Sequence, residues 1–339
     1  MIDAEFDHAI ILSDDLGAGI AALERLGFRP TPPGYHGAAM GTENVTIVLP
    51  DGMTYFEVLA VREPTGRNED KRAALGARGH HLFGLAIKGE AHELYDLIEA
   101  LGAADGEPFD FAREVALPDG PREARFTVLP MRPGTLPGLY GFCCEHHTPD
   151  VVWRADYLSQ PNGALRIVGL WGVADDLHEL AKAWQRPFGA SVTLEDDRVT
   201  AELGVATVRY LTREDWVATF GTGGGEDGEG ARLPALEFEV EDIGALAALL
   251  EDHGVALAHR DLQDHAPKPP GLHLGRHDHP AEQRLVGGVD PRHAAEHDHL
   301  RVAGPPVVAQ THAVADRHPL GGRRPDLARR ERPVADRAQ

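Results

Sequence analysis

Apolar and polar residues alternate in a pattern that repeats four times along the chain. The stretch Phe6–Leu12 (FDHAIIL) reads as a buried strand, with His8 the one polar residue on the face it shares with Phe6 and Ile10. A polar step, Ser13-Asp14-Asp15, leads into an amphipathic helix, Leu16–Leu26, whose stripe is Ile20, Leu23 and Leu26 and which closes at Gly27. The plan recurs with strand His81–Ile87, helix Ala91–Leu101 and Gly102. It recurs again with strand Leu165–Val173, step Asp175-Asp176, helix Leu177–Trp184 and Gly189. The last copy has strand Ala235–Val240, step Glu241-Asp242, helix Ile243–Leu250 and Gly254. Acidic residues before three of the helices complement the positive end of the helix dipole, and glycine suits the left-handed residue that ends a helix.

Short strand signals follow each of the first three helices. After the first come Asn44–Leu49, a turn at Pro50-Asp51-Gly52 and Tyr55–Val61; after the second, Arg125–Leu129 and Leu139–Cys144; after the third, Ser191–Leu194, Arg198–Leu203 and Thr207–Leu211. The unit is β-α-β-β-β. One helix covers one face of one small sheet, so each unit needs a partner to close its core. The expected fold class is α+β, with the units paired into two domains at residues 1–148 and 164–258. Residues 149–163 form the link, with Pro149, Pro161, Asn162 and Gly163 as breakers, and Gly221–Gly230 (GTGGGEDGEG) is a flexible connection between units three and four.

The fourth unit fails after Val255-Ala256-Leu257. From about His265 the chain is rich in Arg, His, Pro, Asp, Gly and Ala without periodicity, and no aromatic residue follows Phe238. Residues 259–339 are read as a tail with no compact structure. It is either a natural disordered tail or the product of a shifted reading frame, the latter favoured because the break falls inside a unit.

Composition narrows the function. The 339 residues carry a formal charge of −21, which argues against a nucleic-acid binder. From His265 onward the chain has 12 Lys and Arg against 9 Asp and Glu, so the acidic excess lies in the repeats. The only cysteines, Cys143 and Cys144, are adjacent and read as reduced thiols. No run approaches the ~20 apolar residues of a membrane span. The expected protein is cytoplasmic, with a small-molecule substrate and a second copy of the chain as its partners, and with neither nucleic acid nor membrane.

The segments DHAIILSDDLGAGIAALERLGF, GTENVTIVL and YFEVLAV resemble the vicinal oxygen chelate (VOC) superfamily in its glyoxalase-like branch. CCEHHTPDVVWRADYLSQPNGA resembles the junction of its two-domain bacterial members. The resemblance covers about residues 5–258 and implies that each pair of βαβββ modules forms a cup. It implies a divalent metal held by the first and last strands of each module, hence His8, Glu57, His81 and Glu145, with Zn, Ni, Co, Mn or Fe(II) as the ion. Glu57 and Glu145 are then the candidate catalytic carboxylates, acting as general bases beside a metal Lewis acid.

Each assignment has a plainer alternative. A strand histidine is often an ordinary core residue, His80 competes with His81, and Glu145 ends an apolar run where a carboxylate can emerge into solvent. Thr42, Asn44, His147 and Arg154 are candidate substrate contacts, with His146 beside them, although a surface salt bridge explains Arg154 equally well. Units three and four have Gly169 or Leu170 and Ala235 in place of His8 and cannot ligate there. His277-Asp278-His279 and His297-Asp298-His299 are read as composition rather than sites. Two functions remain: a metal-dependent lyase, isomerase or dioxygenase acting on a small oxygenated molecule, or a metal-free protein that binds or sequesters one.

Overall fold

The computed structural model describes residues 1–221 and 229–255, and the backbone of three further strands at 257–259, 297–303 and 308–314. The first half is one eight-stranded sheet. Its strands are β1 (Glu5–Ser13), β2 (Gly34–Tyr35), β3 (Thr42–Val48), β4 (Tyr55–Val61), β5 (His81–Lys88), β6 (Phe109–Val115), β7 (Arg122–Pro130) and β8 (Tyr140–His146). Their spatial order is β2-β3-β4-β1-β5-β8-β7-β6. β1 and β5 meet antiparallel at the centre, and each pairs parallel with the last strand of its own unit, β4 and β8. Two βαβββ units thus share one curved sheet, a cup with helices on its outer face.

The second half repeats the layout with β9 (Ala164–Val173), β10 (Val192–Leu194), β11 (Arg198–Leu203), β12 (Ala206–Leu211), β13 (Arg232–Val240), β14 (Leu257–His259), β15 (His297–Ala303) and β16 (Val308–Val314). The order is β10-β11-β12-β9-β13-β15-β16-β14. The expectation of no compact structure after the fourth helix is corrected in part, because β15 and β16 are paired strands of this sheet. β16 has the β-branched Val308, Thr311 and Val314 but β15 has only Val302, so local composition gives little sign of this pairing. The fourth unit still departs from the plan: β13 pairs antiparallel with β15, whereas β1, β5 and β9 each have a parallel neighbour from their own unit. The rest of the tail, with His277-Asp278-His279, and most of the glycine-rich run lie outside the described residues.

The helices form where the apolar stripes fall, and their starts follow from the acidic steps. The Asp15, Asp176 and Asp242 side chains each accept from a backbone N–H three residues on, of Ala18, Glu179 and Ala245, at 2.9 Å. The helix Ala91–Ala100 has no such residue of its own, and Glu145 of β8 supplies the carboxylate, accepting from the Ala91 N–H at 3.0 Å.

One apolar core runs between the two halves. Phe28 and Phe56 from the first half enclose Phe238 of β13, with ring centroids 5.2, 5.3 and 5.5 Å apart in the three pairings. The linking segment is docked rather than free. Gln160 donates to the Val48 carbonyl and Asn162 to that of Leu26, each at 2.9 Å, and Val151 and Val152 are buried. Because Phe238 belongs to the core of both halves, Phe238→Ala is expected to cost about 3–5 kcal/mol. Urea unfolding should then show a lower midpoint for one shared transition; loss of only half of the signal would contradict a common core.

Candidate functional site

The inner face of the first cup begins with an irregularity in β1. The register against β5 shifts between Phe6 and His8, so the expected sharing of one face by Phe6, His8 and Ile10 holds only in part. Phe6 joins the core on the helix side, while Ile10 and Leu12 pack inside the cup, whose cavity His8 also lines. The shift also buries Asp7 completely. Its Oδ1 lies 2.5 Å from His8 Nδ1 and 3.0 Å from His146 Nε2. Burial alone would raise the pKa of this carboxyl. The hydrogen bonds and electrostatic attraction of His146 and His8 outweigh it and hold the group well below the usual carboxylate range.

Cys144 completes a cluster. Its sulfur is 3.7 Å from His146 Nε2, and the ligand-type atoms of Asp7, His8, Cys144 and His146 all lie within 4.8 Å of one another. Burial pushes the Cys144 thiol well above its ordinary pKa. Rings wall the cluster: His8 stacks on Tyr55 at 4.3 Å and meets the edge of Phe142 at 5.3 Å, and Trp153 lies 4.8 Å from His146.

A second polar group faces the same cavity, which has a volume of about 110 Å³. Glu57 is buried there and accepts a hydrogen bond from the Asn44 amide. Thr42 Oγ1 lies 2.9 Å from His36 Nδ1, and Arg113 and Lys71 bring two cations. Lys71 stands 4.9 Å above the Tyr140 ring, with Asp70 at 3.2 Å.

Of the four ligands implied by the family resemblance, the cavity takes His8 and Glu57. His81 lies at the start of β5, its Nδ1 2.7 Å from the Gly79 carbonyl, and lines a separate apolar cavity against the second half. His80 contacts Ser13 and Asp14. Glu145 points outward to cap a helix because Tyr140, Phe142 and Cys144 take the inward phase of β8. Among the described residues the one cluster of three or more ligand-type groups contains His8 but not Glu57, His81 or Glu145. Of the expected substrate contacts, Thr42 and Asn44 line the cavity. His147 instead bonds Thr127 at 2.7 Å, and Arg154 pairs with Asp156 at 2.8 Å and Asp119 at 3.6 Å.

Reading the residues in order missed Arg113 and His36. The β6 strand, Phe-Asp-Phe-Ala-Arg-Glu-Val, was not among the expected elements, and an arginine in its inward phase was the available signal. The second cup confirms the contrast between units. Gly169 pairs with Thr207 as His8 pairs with Tyr55, and Arg209 takes the place of Glu57. Trp216 and Phe220, from the helix Arg213–Phe220, pack with Trp171 and fill the space.

A profile of the glyoxalase-like domain matches residues 6–188, more than half of the chain. The chain belongs to the glyoxalase-like domain family. This family lies within the VOC superfamily, and the two cups are its fold. Among solved structures, a mutant 4-hydroxymandelate synthase from Streptomyces coelicolor is 13% identical, with a TM-score of 0.53 over 94% of this chain and 95% of that one. A fusion of a xylose isomerase-like TIM barrel with 4-hydroxyphenylpyruvate dioxygenase is 15% identical, with a TM-score of 0.52 over 94% of this chain and 50% of that one. A Mn(II)-bound glyoxalase from Novosphingobium aromaticivorans is 13% identical, with a TM-score of 0.46 over 91% and 81% of the two chains. No curated protein matches the sequence. Among the described residues, no helix of this glyoxalase-like protein is long and apolar enough to cross a membrane.

Burial and the nearby Arg113 push the His36 pKa down from 6.5 to about 3. Between those values the unfolded chain binds a proton that the folded chain does not, so stability rises with pH through that window and is level above it. Replacing His36 with Gln is expected to flatten this part of the stability profile. An unchanged slope in denaturant titrations between pH 4 and pH 6.5 would contradict a neutral His36.

Proposed function

We propose that the first cup is the active site of a divalent-metal-dependent enzyme acting on a small oxygenated molecule, as a lyase, isomerase or dioxygenase. The observation that carries this reading is the Asp7, His8, Cys144 and His146 cluster beside a cavity in a glyoxalase-like cup. A carboxylate, two imidazoles and a thiol form a donor set suited to Zn or a neighbouring transition metal. Two of its polar atoms, Asp7 Oδ2 and His146 Nδ1, are buried with no hydrogen-bond partner, as suits donors to an ion. The metal would supply Lewis acidity to substrate oxygens. Glu57, fixed by Asn44, is the group placed to take a proton from a substrate carbon in the cavity, which favours isomerase or lyase chemistry over oxygenation. Tyr55 and Phe142 hold the His8 ring and keep water from it.

A second reading, a metal-free binding protein, rests on the same cluster. The chain His8–Asp7–His146 already satisfies one carboxylate oxygen with two imidazoles. Elemental analysis separates the two readings. The enzyme reading expects about one transition-metal ion per chain, held by donors from this cluster with a position left open to substrate, and lost in His146→Gln and Cys144→Ser variants that retain their melting transitions. Metal-free protein after growth with added Zn, Mn or Fe would leave the binding reading.

A further inference from the structure

Arg113 is an arginine in the inward phase of β6, beside Phe109 and Phe111, and only 7% of its surface is exposed. Among the described residues, no hydrogen bond or ion pair to its guanidinium is found. Glu57 lies close enough to stabilise its charge without touching it, while burial works against that charge. A buried, unpaired cation is costly, and folding alone gives no reason to place one on an aromatic wall.

Space around it is kept open. A Cβ on Gly34 would stand 2.7 Å from Arg113 Nη1 and 3.1 Å from Asn44 Oδ1, so the glycine of β2 makes room for the guanidinium. Two further polar atoms, Asn44 Oδ1 and His36 Nε2, are buried without a partner. The cavity offers one forked donor, the acceptor Asn44 Oδ1, the nearby His36 Nε2, whose role follows its tautomer, and walls from Phe111, Phe126 and Phe142.

We propose that Arg113 anchors the carboxylate of a small monoanionic ligand whose ring or short apolar body lies against the phenylalanines of the first cup. A planar guanidinium matches a carboxylate with two parallel hydrogen bonds. A dianion such as phosphate is disfavoured, since Glu57 shares the cavity. The volume of about 110 Å³, below the ~150 Å³ of a closed cavity that accepts benzene, limits the ligand to at most one ring, part of which stands at the cavity mouth. A hydroxyl on the ligand, able both to donate and to accept, would serve Asn44 Oδ1 and His36 Nε2 in either tautomer of the imidazole. This assignment deepens the proposed function by naming the substrate class of its site, but it does not depend on the metal.

Calorimetric titration of benzoate, and of neutral benzamide as its isostere, tests it on the full chain, with metal content measured in the same samples. The wild-type protein should bind benzoate and discriminate against benzamide. Arg113→Met should weaken benzoate on the order of tenfold or more, as expected for loss of a charge-assisted hydrogen bond, and leave benzamide unchanged. Gly34→Ala keeps the charge but crowds the guanidinium, and should weaken benzoate in a protein that melts normally, so the test survives if Arg113→Met fails to fold. Equal binding of benzoate and benzamide, no binding of either, or unchanged benzoate affinity in Gly34→Ala or in folded Arg113→Met would overturn the assignment. Arg113-dependent benzoate binding in metal-free protein would remove the metal enzyme and keep the carboxylate anchor. Metal-loaded protein indifferent to both substitutions would do the reverse.

Discussion

The carboxylate of Asp7 is the constraint around which the first cup is arranged. It is a charge taken completely out of water, and it stays ionised because imidazoles from two strands reach the same oxygen. His8 comes from β1 and His146 from β8, strands that are not neighbours in the sheet. The contact therefore ties the two units together across β5. Removing one partner of a buried charge costs about 3–5 kcal/mol, so this tie resists change. The register shift that turns Asp7 inward also sends Phe6 to the helix side, joining the site's chemistry to the packing behind it.

The two halves share a topology and differ in what they hold. In the first, polar side chains converge on a cavity between β1, β4, β6 and β8. In the second, the corresponding space is packed with Trp171, Trp216 and Phe220, and the paired Arg209 and Glu237 crowd Gly169, which stands where His8 would be. A histidine on the first strand is not required by the sheet, because β9 forms without one. The chemical groups of the first cup are thus additions to the fold.

Much of this was legible in the chain. The recurrence of strand, acidic step, helix and glycine foretold the paired units, and Asp15, Asp176 and Asp242 are the caps that the acidic steps implied. His8, Glu57, Thr42 and Asn44 face the cavity as expected. The error in β8 was a phase error of one residue. Residue type suggested Glu145, but alternation places Cys144 inward and leaves Glu145 to cap the helix whose own N-cap residue, Glu90, makes no side-chain cap bond. Arg113 was invisible because β6 carries polar residues at Asp110 and Glu114 and went unrecognised as a strand. In the fourth unit, pattern and structure agree that the plan changes, but β15 and β16 restore the strand count through a pairing that no local signal encodes.

The central claim is that the buried Asp7, His8, Cys144 and His146 cluster is a metal centre serving the cavity beside it. Substitution of cobalt(II) tests it most directly, since a bound thiolate gives cobalt an intense near-ultraviolet charge-transfer band. The account predicts that band in the wild-type protein and its loss in Cys144→Ser, with the fold retained. A cobalt-treated protein with no such band, or with one that survives the loss of Cys144, would contradict it.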